Sequence, residues 1–331
     1  RVDLVDRIHP ADYDRLDAAP NVRLLPYRLP TVHGLVFGDR APILRNATFR
    51  RGLLYGINRT GFLQQELGSS KKQIARILSG FAPIGRSDND PLGYAYDRDI
   101  RPRAYDPSLA LVLMRLALRT QPQAKNDETN IDAATKTTDG DGKSDSEAAG
   151  DAANETTNAD ANKEEGDGEK DKGEGSSDSS SPNSLPELTL AFPESYVATA
   201  ACEFIASNWR RLGISVKLRA LEPGQTIPND SNWDVLYLEA TIEEPLVDLP
   251  ELVLGQQILG RHGGLIWYAM RQLQDAKSLE EVRNEFAKIH RLTFDHTPWL
   301  PLWQIMEHAA MQKDFVGLNQ PPITLYGDVQ Q

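Results

Sequence analysis

The side chains of this chain that could carry chemistry are its histidines, its single cysteine and its carboxylates. The six histidines form no HExxH pattern, and the sequence contains no GxSxG, no phosphate-binding loop and no GxGxxG. His290 and His296 could bind a metal ion only if the fold brought further ligands to them, so we expect them at the surface or at helix ends. These patterns favour a protein that is not an enzyme and that has no metal or other cofactor.

A second possible metal site is the segment "TTDGDGKSDSE". Its acidic residues resemble the oxygen ligands of a calcium loop, and they are Asp139, Asp141, Asp145 and Glu147. When the segment is aligned on an EF-hand, the first ligand falls on Thr137 and the twelfth on Ala148, so the bidentate glutamate is misplaced. We therefore interpret the segment as a solvated spacer.

Cys202 is the only cysteine, which excludes an internal disulfide and a cysteine-based metal cluster. It falls on the apolar side of a predicted helix, together with Ile205, Trp209 and Leu212. We therefore expect a buried small hydrophobe, not a reactive thiol.

The negative charge of the chain is concentrated in one segment. Residues 124–183 contain 17 Asp or Glu and 6 Lys, so they carry −11 of the net charge of −12. Apart from alanine the segment has one apolar residue, Ile131, and it cannot bury enough surface to offset the entropy of ordering. Residues 122–184 are therefore predicted to be a disordered acidic insert, and the nearly neutral remainder shows no basic stripe for nucleic acid.

The first third of the chain predicts extended segments followed by helices. A short helix at about 10–16 precedes "VRLLPYRL" and "TVHGLVFG", and a helix from Thr48 carries Gly52 and Gly56 on one face, which indicates close backbone contact. Another helix is predicted at about 71–78. The sequence contains no run of about 18 apolar residues, so no membrane-spanning helix is predicted.

A long polar stretch follows, and Asp106 then caps a further helix. The stretch at 79–105 is a candidate binding or covering loop that contains Tyr94 and Tyr96. The buried stripe of the helix is predicted to be Leu109, Val112, Leu113 and Leu116.

After the insert the pattern alternates between strands and helices. "LPELTLAFP", a helix at about 197–212 and "ISVKLRAL" predict a βαβ unit with parallel strands. The strand "WDVLYLEA", a helical stretch at about 249–259 and a helix capped by Ser278 and Glu281 come next. Trp299 and Trp303 in the extended tail could wall a cleft or pack the hinge, and packing is favoured. The overall pattern is α/β.

Five segments, in this order, resemble family 5 of the extracytoplasmic solute-binding proteins, the peptide and nickel group of ABC transporters. They are "FRRGLLYGINR", "AYDPSLALVLMRLA", "LTLAFP", "FIASNWRRLGISVKLRAL" and "HTPWLPLW". The first is similar to the family helix V-R-x-A-L-x-Y-A-I-D-R, in which Gly52 and Gly56 occupy small-residue positions. The second is similar to Y-D-P-x-x-A-x-x-L-L.

The resemblance implies a periplasmic-binding-protein-like, type II, two-lobe fold, of which this chain contains mostly lobe 2. Residues 1–38 and 301–331 are expected to be hinge and lobe 1 segments, and residues 39–300 to be lobe 2. Family members have a longer N-terminal part with an export signal. The implied function is the substrate-binding component of an ABC importer, a monomer that contacts the permease subunits. It would act in the periplasm or elsewhere outside the cytoplasm, lipid-anchored or free.

The resemblance also suggests where a ligand would bind. Peptide-binding members carry W-x-x-D-x-x-D/E-P, whose first Asp pairs with the amino group of the ligand, and the matching stretch here is "LEATIEEP". Leu238 replaces the Trp, Thr241 replaces the Asp, and Glu243 is a displaced substitute, while Glu244 preserves the ending. Either the ligand lacks a free amino terminus or the protein has drifted from peptide capture.

The alternative function is a cytoplasmic ligand-sensing domain of a transcription regulator with the same fold. A hydrolase on this scaffold has no support in the sequence.

Overall fold

The structure is a computed structural model that describes residues 3–27, 29–66, 75–85, 90–120, 185–256 and 258–315. The predicted insert at 122–184, with its calcium-like loop, lies outside the described residues. Among the described helices, none combines the length and the apolar character needed to cross a membrane.

The strands of the described residues fall close to the extended segments that the sequence predicts. They are β1 (Leu4–Val5), β2 (Val22–Pro26), β3 (Thr31–Phe37), β4 (Ala75–Ile77), β5 (Glu187–Phe192), β6 (Ser215–Ala220), β7 (Val235–Thr241), β8 (Trp299–Ile305) and β9 (His308–Gln312).

The helices of the same residues begin mostly at side chains that cap the first turn. They are α1 (Tyr13–Asp17), α2 (Ala47–Tyr55), α3 (Arg59–Glu66), α4 (Pro107–Arg119), α5 (Tyr196–Arg211), α6 (Pro245–Pro250), α7 (Gly264–Gln274) and α8 (Leu279–His296). Asp106, Ser195 and Ser278 accept hydrogen bonds from the first turns of α4, α5 and α8. The predicted cap of α8 by Ser278 is therefore confirmed.

A mixed sheet of six strands forms the centre, in the order β4-β8-β3-β7-β5-β6. Strand β3 is antiparallel to both β7 and β8, while β5 is parallel to β6 and β7. The predicted βαβ unit is confirmed, because α5 joins the parallel strands β5 and β6. Gly213, with a φ of 90°, follows the end of α5 in a conformation that favours glycine.

A smaller sheet has the order β1-β9-β2, with both pairs antiparallel. Only Met306 and Glu307 separate β8 from β9, and the chain also passes from β2 to β3 between Pro26 and Thr31. These two connections therefore join the two sheets, and the place where they do so is the junction of the sheets. The lobe boundaries at 38/39 and 300/301 stay a prediction.

The core lies on both faces of the six-stranded sheet, which is why its central strands are mostly apolar. Leu35 and Phe37 of β3 face one cluster, and Val32 and Val36 face the other. Trp299 and Trp303 are fully buried on opposite sides, so their predicted packing role is confirmed.

Gly52 and Gly56 are packing residues, as predicted. A Cβ on Gly52 would lie 2.7 Å from Cγ of Met114 and 3.0 Å from the carbonyl oxygen of Ala110. A Cβ on Gly56 would lie 2.6 Å from Cδ1 of Leu212. The missing side chain of Gly52 lets α4 pack against α2 at short range, and that of Gly56 leaves room for Leu212.

The predicted buried stripe of α4 is wrong. Leu109, Val112 and Leu116 are exposed, and Leu113 is only partly buried. The buried residues are Ala110, Met114 and Ala117, which have the same helical spacing on the neighbouring face. This face is buried because Ala110 and Met114 lie against Gly52 of α2, where the helices are close together.

The predicted helix at 71–78 is also wrong where the structure describes it. Residues 75–77 form β4, which pairs antiparallel with β8, Ala75 opposite Ile305. Pairing with the sheet edge overrides the local helical spacing. Farther along, the predicted helix at 249–259 begins earlier, at Pro245, and continues as a π turn over Glu251–Gly255.

His290 is buried in the interior of α8, which corrects the prediction that it lies at the surface or at a helix end. Its Nδ1 accepts a hydrogen bond from the backbone N–H of Asp97 at 3.0 Å, so the neutral ring carries its proton on Nε2. That Nε2 lies 2.9 Å from Oγ of Ser79, which is also bonded to the hydroxyl of Tyr96 at 2.7 Å. Burial lowers the pKa of His290 to about 4, although the charge of Asp97 opposes this.

Because His290 is buried, we expect acid to destabilise the protein. A histidine with a pKa of about 6.5 when unfolded and about 4 when folded binds more protons in the unfolded state, so stability is lost as pH falls from 6.5 towards 4. We expect a loss of about 2 kcal/mol from this residue at pH 5.

Urea unfolding of the wild type and of His290→Asn at pH 7, 6 and 5 measures this loss. The variant should lose less stability over this range, and some dependence should remain because burial also lowers the pKa of His33, to about 3. The exposed His296 provides the control, and His296→Asn should keep the wild-type profile. Identical profiles for wild type and His290→Asn would contradict the prediction.

Candidate functional site

The candidate site is a cavity of about 410 Å³ where the two sheets meet. Its wall combines residues of the interior strands β3, β7 and β8, the first turn of α5, the segment before α1 and the connection between β8 and β9. The lining residues are Arg7, Ile8, His9, Pro10, Tyr13, His33, Ser195, Tyr196, Val197, Glu239, Ile305, Met306, Glu307 and His308.

Strand register places the polar residues of the sheet side by side. His33 of β3 pairs directly with Glu239 of β7, and Thr31 at the start of β3 pairs with Ile305 at the end of β8. Ser195 is the N-cap of α5, where its Oγ accepts from the backbone N–H of Ala198 at 3.0 Å. The cap therefore fixes a hydroxyl at the cavity wall.

Glu239 is a carboxylate held within an otherwise apolar strand. It accepts a hydrogen bond from the hydroxyl of Ser195 at 2.9 Å. Burial raises the pKa of Glu239, and the negative charge of Glu307 adds to the increase, whereas Ser195 and Arg7 act in the opposite direction. Glu239 is a mostly buried acceptor, 21% exposed, and within the described part of the chain its side-chain hydrogen-bond donor is the neutral hydroxyl of Ser195.

Glu307 lies on the connection between the sheets. The Nε of Arg7 is 3.2 Å from its Oε2, and the side chain of Arg7 is 62% exposed. Burial raises the pKa of Glu307, the nearby charge of Arg7 lowers it, and Asp6 raises it again. Because the guanidinium is largely in water, it neutralises this carboxylate only in part.

His33 is the most buried polar residue of the wall, with 2% of its surface exposed. The hydroxyl of Tyr237 lies 2.9 Å from its Nδ1, and burial lowers the pKa of His33 to about 3. The ring is therefore neutral near pH 7, and its distance of 3.8 Å from Glu239 does not make an ion pair. Among the described residues, its Nε2 has no hydrogen-bond partner.

Two pairs of aromatic rings line the cavity. The rings of His9 and Tyr196 meet edge to face with their centroids 3.8 Å apart, and Tyr13 and His308 do so at 4.7 Å. Tyr196 is 60% exposed. Tyr13 and His308 are buried, so these rings add apolar contact area to the wall.

Two of the sequence-predicted site residues are brought together, but away from this cavity. The hydroxyl of Tyr94 bonds to the carboxylate of Glu244, and it also accepts from the backbone N–H of Leu246 at 3.1 Å. Burial and the bond to Glu244 raise the pKa of Tyr94 well above its usual value. This contact caps α6 and joins the short 3-10 helix Pro91–Ala95 to it.

The other four predicted residues are separate. Leu238 and Tyr96 are buried in the core, while Thr241 and Glu243 are exposed after Glu239. The backbone N–H of Glu243 donates to Asp248 at 2.6 Å. None of the six predicted residues lines the cavity between the sheets, and their role in binding stays a prediction.

Sequence reasoning missed Glu239 and Glu307. A signal for Glu239 was available, because it is the one charged residue in the strand "VLYLEAT". No comparable signal marked Glu307, whose place depends on the pairing of β9 with β1 and β2.

Within the described residues, no three histidine, cysteine or carboxylate side chains are arranged to hold a metal ion. Cys202 is buried as predicted, and burial raises the pKa of its thiol. The polar side chains of the cavity wall, among them Ser195, Glu239 and Glu307, can form hydrogen bonds with a ligand.

Comparison with known proteins gives a family match. The family model of bacterial extracellular solute-binding proteins, family 5 Middle, matches residues 1–243. A search of the curated proteins found no match.

Solved structures have the same fold. The oligopeptide-binding protein AppA from Bacillus subtilis, in complex with a nonapeptide, is 12% identical with a TM-score of 0.63, and the match covers 98% of this chain and 55% of AppA. DppA from Helicobacter pylori, in complex with the peptide STSA, is 11% identical with a TM-score of 0.64, covering 98% and 51%. NikA from Brucella suis, in complex with Fe(III)-EDTA, is 15% identical with a TM-score of 0.62, covering 97% and 56%.

These structures confirm the predicted two-lobe, periplasmic-binding-protein-like fold class. The chain spans about half the length of the solved structures that it matches.

Proposed function

The chain belongs to family 5 of the bacterial extracellular solute-binding proteins, and we propose that it captures a small solute or a peptide for an ABC importer. Members of this family are extracytoplasmic binding proteins, not enzymes. The proposed partners are the ligand and the permease subunits. The proposed location is the periplasm or the outer side of the cytoplasmic membrane, with or without a lipid anchor.

The observation that carries the proposal is the cavity at the junction of the two sheets. Its volume of about 410 Å³ lies within the range of ordinary ligand sites, roughly 300 to 1,000 Å³. Apolar side chains such as Ile8, Val197 and Ile305 provide contact area, and Ser195 and Glu239 provide oriented polar groups. Such a wall binds a ligand and fixes its orientation.

The connections between the sheets support the same proposal. The wall includes Met306 and Glu307, which join β8 of the large sheet to β9 of the small sheet. A ligand in this cavity contacts both sheets at once, so its binding would favour one arrangement of the two over others.

The test is ligand binding by the purified protein in the longest form that its gene encodes. Free and N-acetylated peptides of two to nine residues, amino acids and other small solutes would be screened by thermal shift and then titrated by calorimetry. We expect saturable binding at one site. Val197→Trp should abolish it, because the indole fills the cavity from the first turn of α5.

Ser207→Trp places the same indole on α5 outside the cavity and serves as the control. Binding that survives Val197→Trp would locate the ligand elsewhere and contradict the proposed site. Cell fractionation tests the location, and uptake of the identified ligand should fail in a deletion strain. A cytoplasmic protein that binds DNA would instead favour the ligand-sensing regulator.

A further inference from the structure

Two histidines of the cavity wall each have a ring nitrogen without a partner. His9 and His33 both line the cavity. In each ring Nε2 is buried and, among the residues that the structure describes, has no hydrogen-bond partner. His33 as a whole is 2% exposed. A buried polar atom without a partner costs free energy, and a ligand atom that bonds to it removes that cost.

The proton of the His9 ring is on Nε2. Its Nδ1 accepts a hydrogen bond from the backbone N–H of Ala11 at 3.1 Å, so this nitrogen carries the lone pair. Burial lowers the pKa of His9, although the charges of Asp12 and Glu66 oppose this, and the ring is neutral near pH 7. A neutral imidazole with its lone pair on Nδ1 has its N–H at Nε2.

The same tautomer follows for His33 from its neighbour. The hydroxyl of Tyr237 lies 2.9 Å from Nδ1 of His33, and within the described part of the chain this nitrogen is the acceptor within reach of the hydroxyl proton. Burial lowers the pKa of His33 to about 3, so the ring is neutral. Because Nδ1 accepts from Tyr237, the ring proton is on Nε2. Both unpartnered nitrogens are therefore N–H donors.

We infer that the cavity recognises ligands through uncharged oxygen atoms, which accept hydrogen bonds from the Nε2–H groups of His9 and His33. The inference rests on the proposed function and specifies the ligand class of the same cavity. An amide carbonyl and a hydroxyl both provide such an oxygen, so peptides and sugar-like solutes are the two sources of this chemistry. Either group also has a donor beside its oxygen, and Glu239, whose Oε1 is 3.8 Å from Nδ1 of His33, can accept from it.

Charged ligands fit these donors less well. An ammonium group has no lone pair, so it would leave both imidazole N–H groups unpaired. A carboxylate or a phosphate would accept from them, but it would also face Glu239 and Glu307 in the same wall, and like charges repel. A metal ion would need the lone pair of Nε2, which the proton occupies, and the described residues form no group of three possible metal ligands.

One exposed ring of the wall, Tyr196, covers His9. The two rings meet edge to face with their centroids 3.8 Å apart, and Tyr196 is 60% exposed. Exposed side chains change rotamer within nanoseconds, so this ring can turn aside when a ligand approaches His9. Its face then provides apolar contact area for the carbon part of the ligand.

Calorimetry with four small probes measures the ligand class. N-acetylalanine N′-methylamide offers amide carbonyls, glucose offers hydroxyls, butylamine is a cation and butyrate is an anion. We expect one of the two neutral probes to bind the purified protein about tenfold more tightly than either charged probe. The amide and the glucose titrations distinguish a peptide source of the oxygen from a sugar-like source.

Substitution by asparagine removes the donor of each histidine and keeps its other hydrogen bond. The asparagine oxygen is as many bonds from Cβ as Nδ1 is, so it can still accept from Ala11 in His9→Asn and from Tyr237 in His33→Asn. Each variant should bind the neutral probe about tenfold more weakly. The glutamine amide reaches as far as Nε2, so His33→Gln should recover part of the affinity. His296→Asn, at an exposed position outside the cavity, should leave it unchanged.

Nitrogen-15 NMR of the imidazole side chains tests the inference without any substitution. In the unliganded protein at pH 7 we expect His9 and His33 to have a protonated Nε2 and an unprotonated Nδ1. Saturation with the neutral probe should move the two Nε2–H proton signals downfield, whereas the signals of the exposed His296 should not move. A proton on Nδ1 of either ring, or Nε2–H signals that the bound probe leaves unchanged, would contradict the inference.

The outcomes separate the inference from the proposed function. If a solute binds, is blocked by Val197→Trp and is unaffected by His9→Asn and His33→Asn, the inference is wrong and the proposed function stands. The same conclusion follows if a charged probe binds in the cavity more tightly than both neutral probes. If no probe and no solute of the wider screen binds in the cavity, both are wrong.

Discussion

Replacing Arg59 by methionine is expected to destabilise the protein by about 4 kcal/mol. Only 3% of Arg59 is exposed, and its guanidinium donates to the backbone carbonyls of Leu78 at 2.9 Å, Pro301 at 2.8 Å and Arg103. Methionine fills similar space but donates no hydrogen bond, so three mostly buried carbonyls lose a donor. Burial lowers the pKa of Arg59 to about 10, so the wild-type side chain is charged at pH 7, and the cost of burying that charge offsets part of the loss.

Denaturant unfolding measures the effect. Arg211→Met is the matched control, since Arg211 is exposed at the end of α5, and it should change stability by less than about 0.5 kcal/mol. Arg59→Lys should recover only part of the loss, because one ammonium cannot span the three carbonyls as the planar guanidinium does. Equal stability of Arg59→Met and Arg211→Met would refute this account.

Replacing Gly34 by alanine is expected to cost about 3 kcal/mol. A Cβ on Gly34 would lie 2.2 Å from Cε2 and Cζ2 of Trp299, an overlap that the ring must escape by moving. Trp299 is 1% exposed and packs against Phe81, with ring centroids 5.7 Å apart, so the ring cannot move without displacing its neighbours. The strand pairing with β8 is also irregular between His33 and Gly34, which brings the two strands into this close contact.

Thermal and denaturant unfolding would test the steric explanation with two further variants. Gly264→Ala adds a methyl group at the start of α7, where nothing lies within 4 Å of the new Cβ, and should leave stability unchanged or raise it by under about 1 kcal/mol. Trp299→Leu should lower the free energy of unfolding less in the Gly34→Ala background than in the wild type. In that background the substitution also removes the overlap between the new methyl group and the indole ring. Additive effects of the two substitutions would show that the ring is not the cause.

Local signals in the sequence predicted most of the elements. The caps Asp106 and Ser278, the glycine after α5 and the βαβ pattern each act within one or two elements, and each was found where predicted. The packing role of Gly52 and Gly56 was also predictable, because a glycine inside a helix costs stability unless a neighbour needs the space.

Predictions that depended on distant partners were less successful. Helix α4 has two apolar faces with the same spacing, and only the shape of α2 selects the face with Ala110 and Met114. Similarly, β4 forms because β8 offers an edge, and His290 is buried because Ser79 and Asp97 bond to both of its ring nitrogens. The spacing of apolar residues along one helix or strand carries no information about these distant partners.

The cavity also could not be predicted from local sequence patterns, because it depends on distant partners. Its polar wall joins His33, Glu239 and Glu307, and the connections that bring them together arise from the strand order of two sheets. The family resemblance directed attention to Thr241, two residues beyond Glu239 on the same strand. Only the register of β3 and β7 shows that Glu239 stands opposite a buried histidine.

The position of β3 between β7 and β8 has a consequence for the time course of folding. Strand β3 ends at Phe37, whereas its partners begin at Val235 and Trp299, so the sheet closes only through contacts of very long sequence separation. At synthesis rates of about 5 to 20 residues per second, the first partner follows β3 after roughly 10 to 40 seconds. During that interval a mostly apolar strand has neither neighbour and is exposed to aggregation. We therefore expect loop closure, not helix formation, to limit the folding rate.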